Sequence, residues 1–339
     1  MAQKRIVMLY HENGRVGLQS VIGLGCWNFG GQWNNKVSKD AAIEIIRYAI
    51  DHGITFVDVA ESYGIPDGQC EILLGEALAN GYREKVTLIS KVGWYARRTA
   101  DHFSAVDGYW RKQAKKAFNQ LYRFKEVDFN HRTPELLRLC GHACCGRLKT
   151  DYVDILLCHD DKPKDASSFI TAFRQLRDEG FIRYYGISTN DIGALQRFYE
   201  LSNGECAACE CDYSLLNRRA ETELFKFCHK NNIAIFTRGT LERGILSGKY
   251  TASSSFDESC REAWNLGGKA HKQYLNKIAA VEKIVKTIEP EKISKIAYQF
   301  AFSNEVHPCV VTGCTSLEQL KDNLAAAESY INPHLLNVL

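Results

Sequence analysis

Eight short apolar runs alternate with helix-forming segments along most of this chain, and that alternation restricts its possible folds more than any other feature. The runs occupy 21–25, 54–58, 86–90, 152–158, 181–188, 205–213, 233–238 and 308–313. The segments between them carry apolar residues at three- and four-residue spacing, as in 39–53. Eight strands alternating with helices predict a (β/α)8 barrel. An open doubly wound sheet is the alternative, but no GxGxxG motif follows the first run, which weakens its dinucleotide-binding version.

Three segments interrupt the alternation. Residues 4–20 predict a hairpin, because Asn-Gly, a strong tight-turn signal, lies between two apolar stretches. Residues 95–131 are rich in aromatic and basic side chains, and residues 239–275 are rich in Gly and Ser. In a barrel these long loops after the third and seventh strands would lie on the face where ordered insertions usually build a site. A solvated helical excursion is the alternative for 95–131. We find no linker, so residues 1–339 are expected to form a single barrel domain.

Composition excludes several classes of protein. The net charge of +3 is too small to indicate a nucleic-acid or membrane-surface partner. No apolar run approaches the roughly 20 residues of a membrane span, and the N-terminus lacks a signal-peptide pattern, so we expect a cytoplasmic protein. The thirteen cysteines include two close groups, neither with the paired CxxC spacing of a zinc site. These groups are Cys140, Cys144 and Cys145, and Cys206, Cys209 and Cys211. We therefore expect small buried thiols rather than a metal site.

Polar side chains stand at the ends of three successive predicted strands. Lys91 ends the third, where a buried ammonium is costly unless a negative partner compensates its charge. Asp58 ends the second, with Tyr63 five residues later, and His159 ends the fourth. Each alone could be a helix cap or a core residue, but the C-terminal ends of barrel strands meet on one face, so together they form a set that can move a proton. A tyrosine of ordinary pKa is a poor acid or base at neutral pH, and a nearby ammonium is expected to lower that pKa.

These residues fall in segments that resemble the aldo-keto reductase family over nearly the whole chain. The segments are GLGCWNFGG, FVDVAESYG, LISKVGW, DYVDILLCHD, GISTND, LERGILSGKY and VVTGCTSLEQLKDNL. The resemblance implies a (β/α)8 barrel that moves a hydride between a nicotinamide cofactor and a carbonyl or alcohol. It implies that Asp58, Tyr63, Lys91 and His159 are catalytic. Tyr63 would be the general acid in reduction and the base in oxidation, tuned by Lys91 with Asp58, and His159 would orient the carbonyl.

The family's cofactor signature is less regular in this chain. By the resemblance, Asp322 and Asn323 contact the adenine, while Gln319 replaces the arginine that usually binds the 2′-phosphate of NADP. The basic residue that some branches place after the glycine falls on Thr315 or its neighbour. A phosphate dianion without a cationic partner loses its strongest hydrogen bonds. We therefore expect NAD rather than NADP, unless the Lys321 side chain turns inward.

Further departures surround the expected nicotinamide. The family's Ser-Asn pair is Ser188-Thr189 here, its glutamine after the sixth strand is Glu210, and its stacking aromatic residue is Arg238. We expect Glu210 and Arg238 to form a partly buried pair beneath the nicotinamide, with the guanidinium plane replacing the aromatic face. The alternative is an Arg238 side chain that points to solvent. The other cofactor-binding positions implied by the resemblance are Gly25, Cys26, Trp27, Leu241, Gly244 and Gly313.

Within the family, the chain is most similar to NAD-dependent sugar 1-dehydrogenases of the L-galactose dehydrogenase type. The shared features are Cys158 before the catalytic histidine, the phosphate-poor signature and the lost aromatic residue. The implied reaction is oxidation of an aldose at C1 to a lactone, in a pocket formed by Trp27, Trp94 and Tyr95. An NADPH-dependent aldehyde or ketone reductase would share every catalytic residue. A non-catalytic, cofactor-sensing regulatory subunit is a third hypothesis, which the complete catalytic set disfavours.

Overall fold

A closed barrel of eight parallel strands forms the centre of the molecule. The computed structural model describes residues 7–31, 37–93, 132–257 and 260–339. The barrel strands are β3 (Ile22–Gly25), β4 (Phe56–Asp58), β5 (Thr87–Val92), β6 (Val153–Cys158), β7 (Ile182–Ser188), β8 (Ala208–Asp212), β9 (Ala234–Arg238) and β10 (Cys309–Thr312). Each pairs with the next in sequence, and β10 closes the barrel between β9 and β3. The predicted (β/α)8 architecture is confirmed.

Helices cover the outside of the barrel between successive strands. They are α1 (Lys39–Asp51), α2 (Gln69–Ala77), α3 (Pro134–Leu148), α4 (Ala166–Asp178), α5 (Ile192–Leu201), α6 (Leu224–Lys230), α7 (His271–Ile288), α8 (Ile293–Phe302), α9 (Leu317–Ala326) and α10 (Pro333–Val338). The predicted cap of α3 is present, since Thr133 accepts a hydrogen bond from the Leu136 amide. The sequence placed the start of α7 at 276, but the helix begins at His271, because Tyr274 in its first turn is buried.

Two hydrophobic layers hold the barrel and its helices together. The larger lies between the strands and the surrounding helices. The smaller fills the barrel itself and consists of Phe56, Ile89, Ile155, Leu157, Ala208, Ala234, Phe236 and Cys309. This filled interior leaves the C-terminal ends of the strands as the place for polar side chains. Within the described ranges, no helix has the length and apolarity needed to cross a bilayer.

An N-terminal hairpin closes the opposite end of the barrel. Strands β1 (Tyr10–Glu12) and β2 (Leu18–Ser20) pair antiparallel, which confirms the predicted hairpin. The connection is a five-residue loop rather than the predicted tight Asn-Gly turn. Asn13 accepts a hydrogen bond from the Ile235 amide at 2.7 Å and donates one to the Ile235 carbonyl at 3.1 Å. Gly14, at φ +53°, lies so close to β9 that a Cβ there would stand 2.5 Å from the Ala234 nitrogen. The two residues dock the loop on the barrel.

The long segment after β9 has a small core of its own. It leaves the C-terminal end of β9, as predicted, and contains short 3₁₀ turns at Glu242–Ser247 and Glu262–Trp264. The rings of Tyr250, Phe256, Trp264 and Tyr274 contact one another, with centroids 5.1 to 5.6 Å apart. The predicted insertion at 95–131 lies outside the described residues.

The cysteines are distributed through the core. All thirteen are free, and every one except Cys260 is buried. Burial raises the pKa of the thiols at Cys309 and Cys314, among others, which keeps them protonated. The prediction of small buried thiols is confirmed.

Candidate active site

Four polar side chains meet at the C-terminal end of the barrel, as the sequence predicted. Asp58 is the last residue of β4, Lys91 is the penultimate residue of β5, and His159 directly follows β6. The Lys91 ammonium forms an ion pair with Asp58 and lies 3.4 Å from the Tyr63 hydroxyl. The rings of Tyr63 and His159 are perpendicular, with centroids 6.0 Å apart. The structure therefore assembles the arrangement needed to move a proton at Tyr63.

The loop that carries Tyr63 is tied to β5 by Glu61. The Glu61 amide donates to the Lys91 carbonyl at 3.1 Å, and its carboxylate accepts from the Gly93 amide at 2.6 Å. Glu61 has no exposed surface. These bonds fix the distance between β5 and the Tyr63 loop. The sequence analysis missed this residue, although an acid between Asp58 and Tyr63 in AESYG was a visible signal.

Lys91 has a second carboxylate partner, which the sequence analysis also missed. Glu210, at the middle of β8, places its Oε2 3.3 Å from the Lys91 Nζ. Both side chains are almost completely buried, and the Val59 carbonyl accepts another hydrogen bond from the ammonium at 3.1 Å. Burial alone would lower the pKa of Lys91, but Asp58 and Glu210 hold it above its ordinary value. Burial, reinforced by the Glu210 charge, raises the pKa of Asp58 to about 8.

The pKa of Tyr63 differs from the sequence prediction. Desolvation raises the pKa of its hydroxyl, and although the Lys91 ammonium acts in the predicted direction, it does not outweigh this effect. The charges of Asp58 and Glu210 raise the pKa further. The expected net lowering is therefore wrong, because one ammonium faces two carboxylates beside a buried phenol. Tyr63 keeps its proton at neutral pH.

Arg238 lies between two carboxylates at the end of β9. Its Nε is 3.2 Å from the Glu210 Oε1, and its guanidinium also pairs with Asp212. The side chain is 36% exposed, so it is neither buried nor directed into solvent. Burial alone would lower the pKa of Arg238, but Asp212 and Glu210 hold it above its ordinary value. The predicted Glu210–Arg238 pair is confirmed, and Asp212 is an additional partner, itself hydrogen-bonded to Asn190.

Ser188, the last residue of β7, and Thr189, which follows it, have side chains that face in different directions. Ser188 donates a hydrogen bond to Glu210 at 3.5 Å and so belongs to the polar cluster. Thr189 is fully buried and donates instead to the Asp161 carbonyl at 2.6 Å, in the loop after β6. Its side chain is thus already engaged, and its amide donates to the Glu210 carbonyl at 2.9 Å, so its predicted contact with the cofactor stays a prediction.

The end of β3 borders Tyr63. Gly25 ends the strand, and the amide of the buried Cys26 donates to the Asp58 carbonyl at 2.8 Å. Trp27 begins a 3₁₀ turn, and its ring centroid lies 6.1 Å from that of Tyr63. Trp27 therefore lies beside Tyr63, and its role in the substrate pocket stays a prediction. Trp94 and Tyr95, the other predicted pocket residues, lie outside the described residues.

The start of α9 contains the predicted adenosine-side residues. Thr315 donates from its amide to the Gln319 side-chain oxygen at 3.0 Å, so these two residues form a closed polar contact. The Lys321 ammonium lies 5.4 Å from the ring centroid of Tyr48 on α1, an outward position. Asp322 and Asn323 separate: Asp322 is exposed near Lys292, whereas Asn323 donates to the buried Thr312 at 3.0 Å.

These residues fit a nicotinamide dinucleotide. The N-terminus of α9, capped by Ser316, follows the loop after β10, and a helix N-terminus suits a phosphate. Gly313 lets this loop approach the turn after β3, since a Cβ there would lie 2.7 Å from the Asn28 side chain. Leu241 and Gly244 (φ +96°) belong to the turn that leaves β9 next to this end of the barrel. Within the described residues, no group of three or more His, Cys, Asp or Glu side chains is placed to hold a metal.

The fold is a closed barrel of eight parallel strands with helices between them, and a tyrosine lies beside a buried lysine at its C-terminal end. Residues 21–334 match the sequence profile of the Aldo/keto reductase family, and the chain belongs to that family. It is an oxidoreductase of the NAD(P)-dependent type.

Comparison with known proteins gives relatives that match most of the chain. This chain is 26% identical over 322 residues to an NADH-specific methylglyoxal reductase of Escherichia coli, covering 91% of this chain and 89% of that protein. It is 30% identical over 241 residues to another methylglyoxal reductase of Escherichia coli, covering 69% and 70%. An aldo-keto reductase from Bacillus halodurans in its holo form superposes with a TM-score of 0.71 at 21% identity, over 98% of this chain and 95% of that one.

Proposed function

We propose that this protein reduces a small aldehyde or ketone to an alcohol. The observation that carries the proposal is the position of the Tyr63 hydroxyl, which lies 3.4 Å from the buried Lys91 ammonium, with the His159 ring beside the Tyr63 ring. A phenol in this position can donate its proton to a carbonyl oxygen while the ammonium stabilises the phenolate that forms. Two relatives are methylglyoxal reductases, which supports a small, polar carbonyl substrate.

The chain's own residues account for the proton transfer. Tyr63 and His159 converge on the position of a carbonyl oxygen, where His159 orients it and Tyr63 donates the proton. The nicotinamide cofactor, when bound, supplies the hydride to the carbonyl carbon. Lys91 stabilises the phenolate that develops on Tyr63, because its ammonium is already in place and excluded from water. Asp58 holds the ammonium by an ion pair.

Substrate and direction can be tested together by steady-state kinetics. We expect reduction of methylglyoxal and related small aldehydes at neutral pH to exceed oxidation of aldoses. Tyr63→Phe should lower kcat by roughly 10²–10⁴-fold with an unchanged cofactor dissociation constant. Tyr82→Phe is a matched control, because Tyr82 contacts Asp51 before β5, at the other end of that strand, and its loss should leave kcat unchanged. A Tyr63→Phe enzyme with full activity would contradict the proposal.

Oxidation of an aldose at C1 is the second candidate. It is favoured by Trp27, whose ring beside Tyr63 offers an apolar face to the C–H groups of a sugar. Because Tyr63 must give up its proton before it can act as the base, and burial raises the pKa of its hydroxyl, this reaction should become faster as pH rises. Aldose oxidation that is faster than carbonyl reduction at pH 7 would reverse the order of the two candidates.

We further propose NADH rather than NADPH as the preferred reductant. The Gln319 side chain is hydrogen-bonded to Thr315. Lys321 of α9 points outward, over the Tyr48 ring of α1, so neither residue offers a cation to a 2′-phosphate. The NADH-specific relative supports this choice. Gln319→Arg should tighten NADPH binding by about tenfold and leave NADH binding almost unchanged. Lys321→Gln is the control and should change neither dissociation constant; wild-type constants that are equal for both cofactors would contradict the proposal.

We also propose that the protein is located in the cytoplasm. Thirteen free cysteines, nearly all buried, support a reducing compartment such as the cytoplasm.

A further inference from the structure

Glu210 contacts both cations of the site. Its Oε2 lies 3.3 Å from the Lys91 ammonium and its Oε1 lies 3.2 Å from the Arg238 guanidinium. The side chain is 1% exposed and enters the barrel from β8, while Lys91 enters from β5. The carboxylate therefore links the proton-transfer residues to the guanidinium at the barrel mouth.

The charges in this cluster do not balance when every group is ionised. Asp58, Glu210 and Asp212 carry three negative charges, and Lys91 and Arg238 carry two positive ones. Asp212 is 35% exposed and screened by water, so the excess negative charge falls on the buried pair, Asp58 and Glu210. A second buried carboxylate beside one ammonium therefore disfavours the ionised form of Asp58.

We propose that Glu210 is a positioning residue for proton transfer at Tyr63: it holds Lys91 between itself and Asp58, and it is tied to the barrel mouth through Arg238. This inference rests on the proposed function, because the transfer it controls is the one that reduces the carbonyl. The pKa of Asp58, raised to about 8 by burial and by Glu210, agrees with the arrangement.

Ionisation of Asp58 makes the transfer sensitive to pH. The groups that face Glu210 are Asp58 of β4, Lys91 of β5, Ser188 of β7 and Arg238 of β9. Ionisation of Asp58 adds a negative charge beside Tyr63, which makes its phenolate harder to form. Reduction should therefore slow as pH rises through about 8.

Carboxyl-carbon NMR of the cofactor-free protein tests the effect of Glu210 on its neighbour directly. We expect the side-chain carboxyl carbon of Asp58 to titrate near pH 8 in the wild type. In Glu210→Gln this titration should move down by at least about one pH unit, since Asp58 loses its like-charged neighbour. Asp212→Asn is the matched control: it removes a carboxylate from Arg238 but not from Lys91, so the titration should stay near pH 8. An absent titration in the wild type, or an unmoved one in Glu210→Gln, would overturn the proposal.

The pH dependence of kcat/KM for reduction tests the link to catalysis. The break near pH 8 should shift to lower pH in Glu210→Gln and stay in place in Asp212→Asn, while both variants weaken cofactor binding through Arg238. If Glu210→Gln does not fold, Glu210→Asp replaces it. Aspartate keeps the negative charge but places it farther from Lys91, so a smaller shift of the break to lower pH is expected. An unmoved break in a folded variant counts against the inference. A wild type that reduces no carbonyl contradicts the proposed function, whereas an active wild type with an unmoved break in Glu210→Gln contradicts this inference alone.

Discussion

Two unusual side chains on the neighbouring strands β8 and β9, Glu210 and Arg238, compensate each other. Glu210 alone would add an uncompensated negative charge beside Asp58, and Arg238 alone would lack its most buried partner. A buried charge without a partner is strongly destabilising, whereas a matched pair with further hydrogen bonds is tolerated. With Arg238 3.2 Å from Glu210 and also paired with Asp212, both charges are accommodated. The acid and the guanidinium in these positions are therefore expected to depend on each other.

Removal of the guanidinium tests its predicted role under the nicotinamide. Arg238→Ala leaves the Asp212 carboxylate at the barrel mouth without its cation and removes the planar surface expected to contact the ring. We expect the dissociation constant of NADH to rise by about tenfold, or about 1.4 kcal/mol, in a fluorescence titration. Arg138→Ala provides the control, because Arg138 of α3 forms a partly exposed pair with Glu179 on the helical layer. An unchanged constant in Arg238→Ala would rule out a cofactor contact.

At the level of elements, local sequence patterns predicted the strands and helices but not the contacts between strands that are distant in sequence. The eight strands and the Thr133 cap follow from local patterns, and the strand-end positions of Asp58 and Lys91 follow from the barrel itself. The contact between Lys91 and Glu210 could not be predicted in this way, because it joins β5 to β8 across the barrel interior. The net pKa of Tyr63 was missed for the same reason. It depends on charges and burial contributed by several strands, whereas the sequence displays only the nearest ammonium.

The hairpin loop shows how a local signal can serve a distant contact. Asn13 and Gly14 suit a tight turn, yet both are used to dock the loop on β9. Asn13→Ala would leave the buried amide and carbonyl of Ile235 without their side-chain partner. We expect the free energy of unfolding to fall by about 2–4 kcal/mol in urea denaturation. Asn276→Ala, on an exposed position of α7, should change it little; an equally small effect of Asn13→Ala would mean that the loop does not anchor the barrel.

At the scale of the whole molecule, the charged site and the segments that close the barrel lie at opposite ends. The C-terminal ends of the strands hold the charged site, while the opposite end is closed by the hairpin and the segments around β10. His11 joins these closing segments: its Nδ1 lies 3.1 Å from the His307 carbonyl and its Nε2 lies 3.1 Å from the Tyr330 hydroxyl. The residue is 4% exposed. A single buried imidazole thus links the N-terminal hairpin to the chain on both sides of α9.

This link should make the closed end sensitive to acid. Burial and the neighbouring His307 lower the pKa of His11 below its ordinary 6.5, so the folded state binds this proton less readily than the unfolded chain. His11 therefore contributes stability above about pH 6.5 that is lost as pH falls below that value. In urea denaturation at pH 7.5 and 5.5, His11→Gln should lose less stability between the two pH values than the wild type, because glutamine keeps hydrogen-bonding groups but does not titrate. His229→Gln, on the exposed side of α6, should behave as the wild type does. If His11→Gln and the wild type lose equal stability, the acid sensitivity arises elsewhere, and the imidazole joins the two termini without sensing pH.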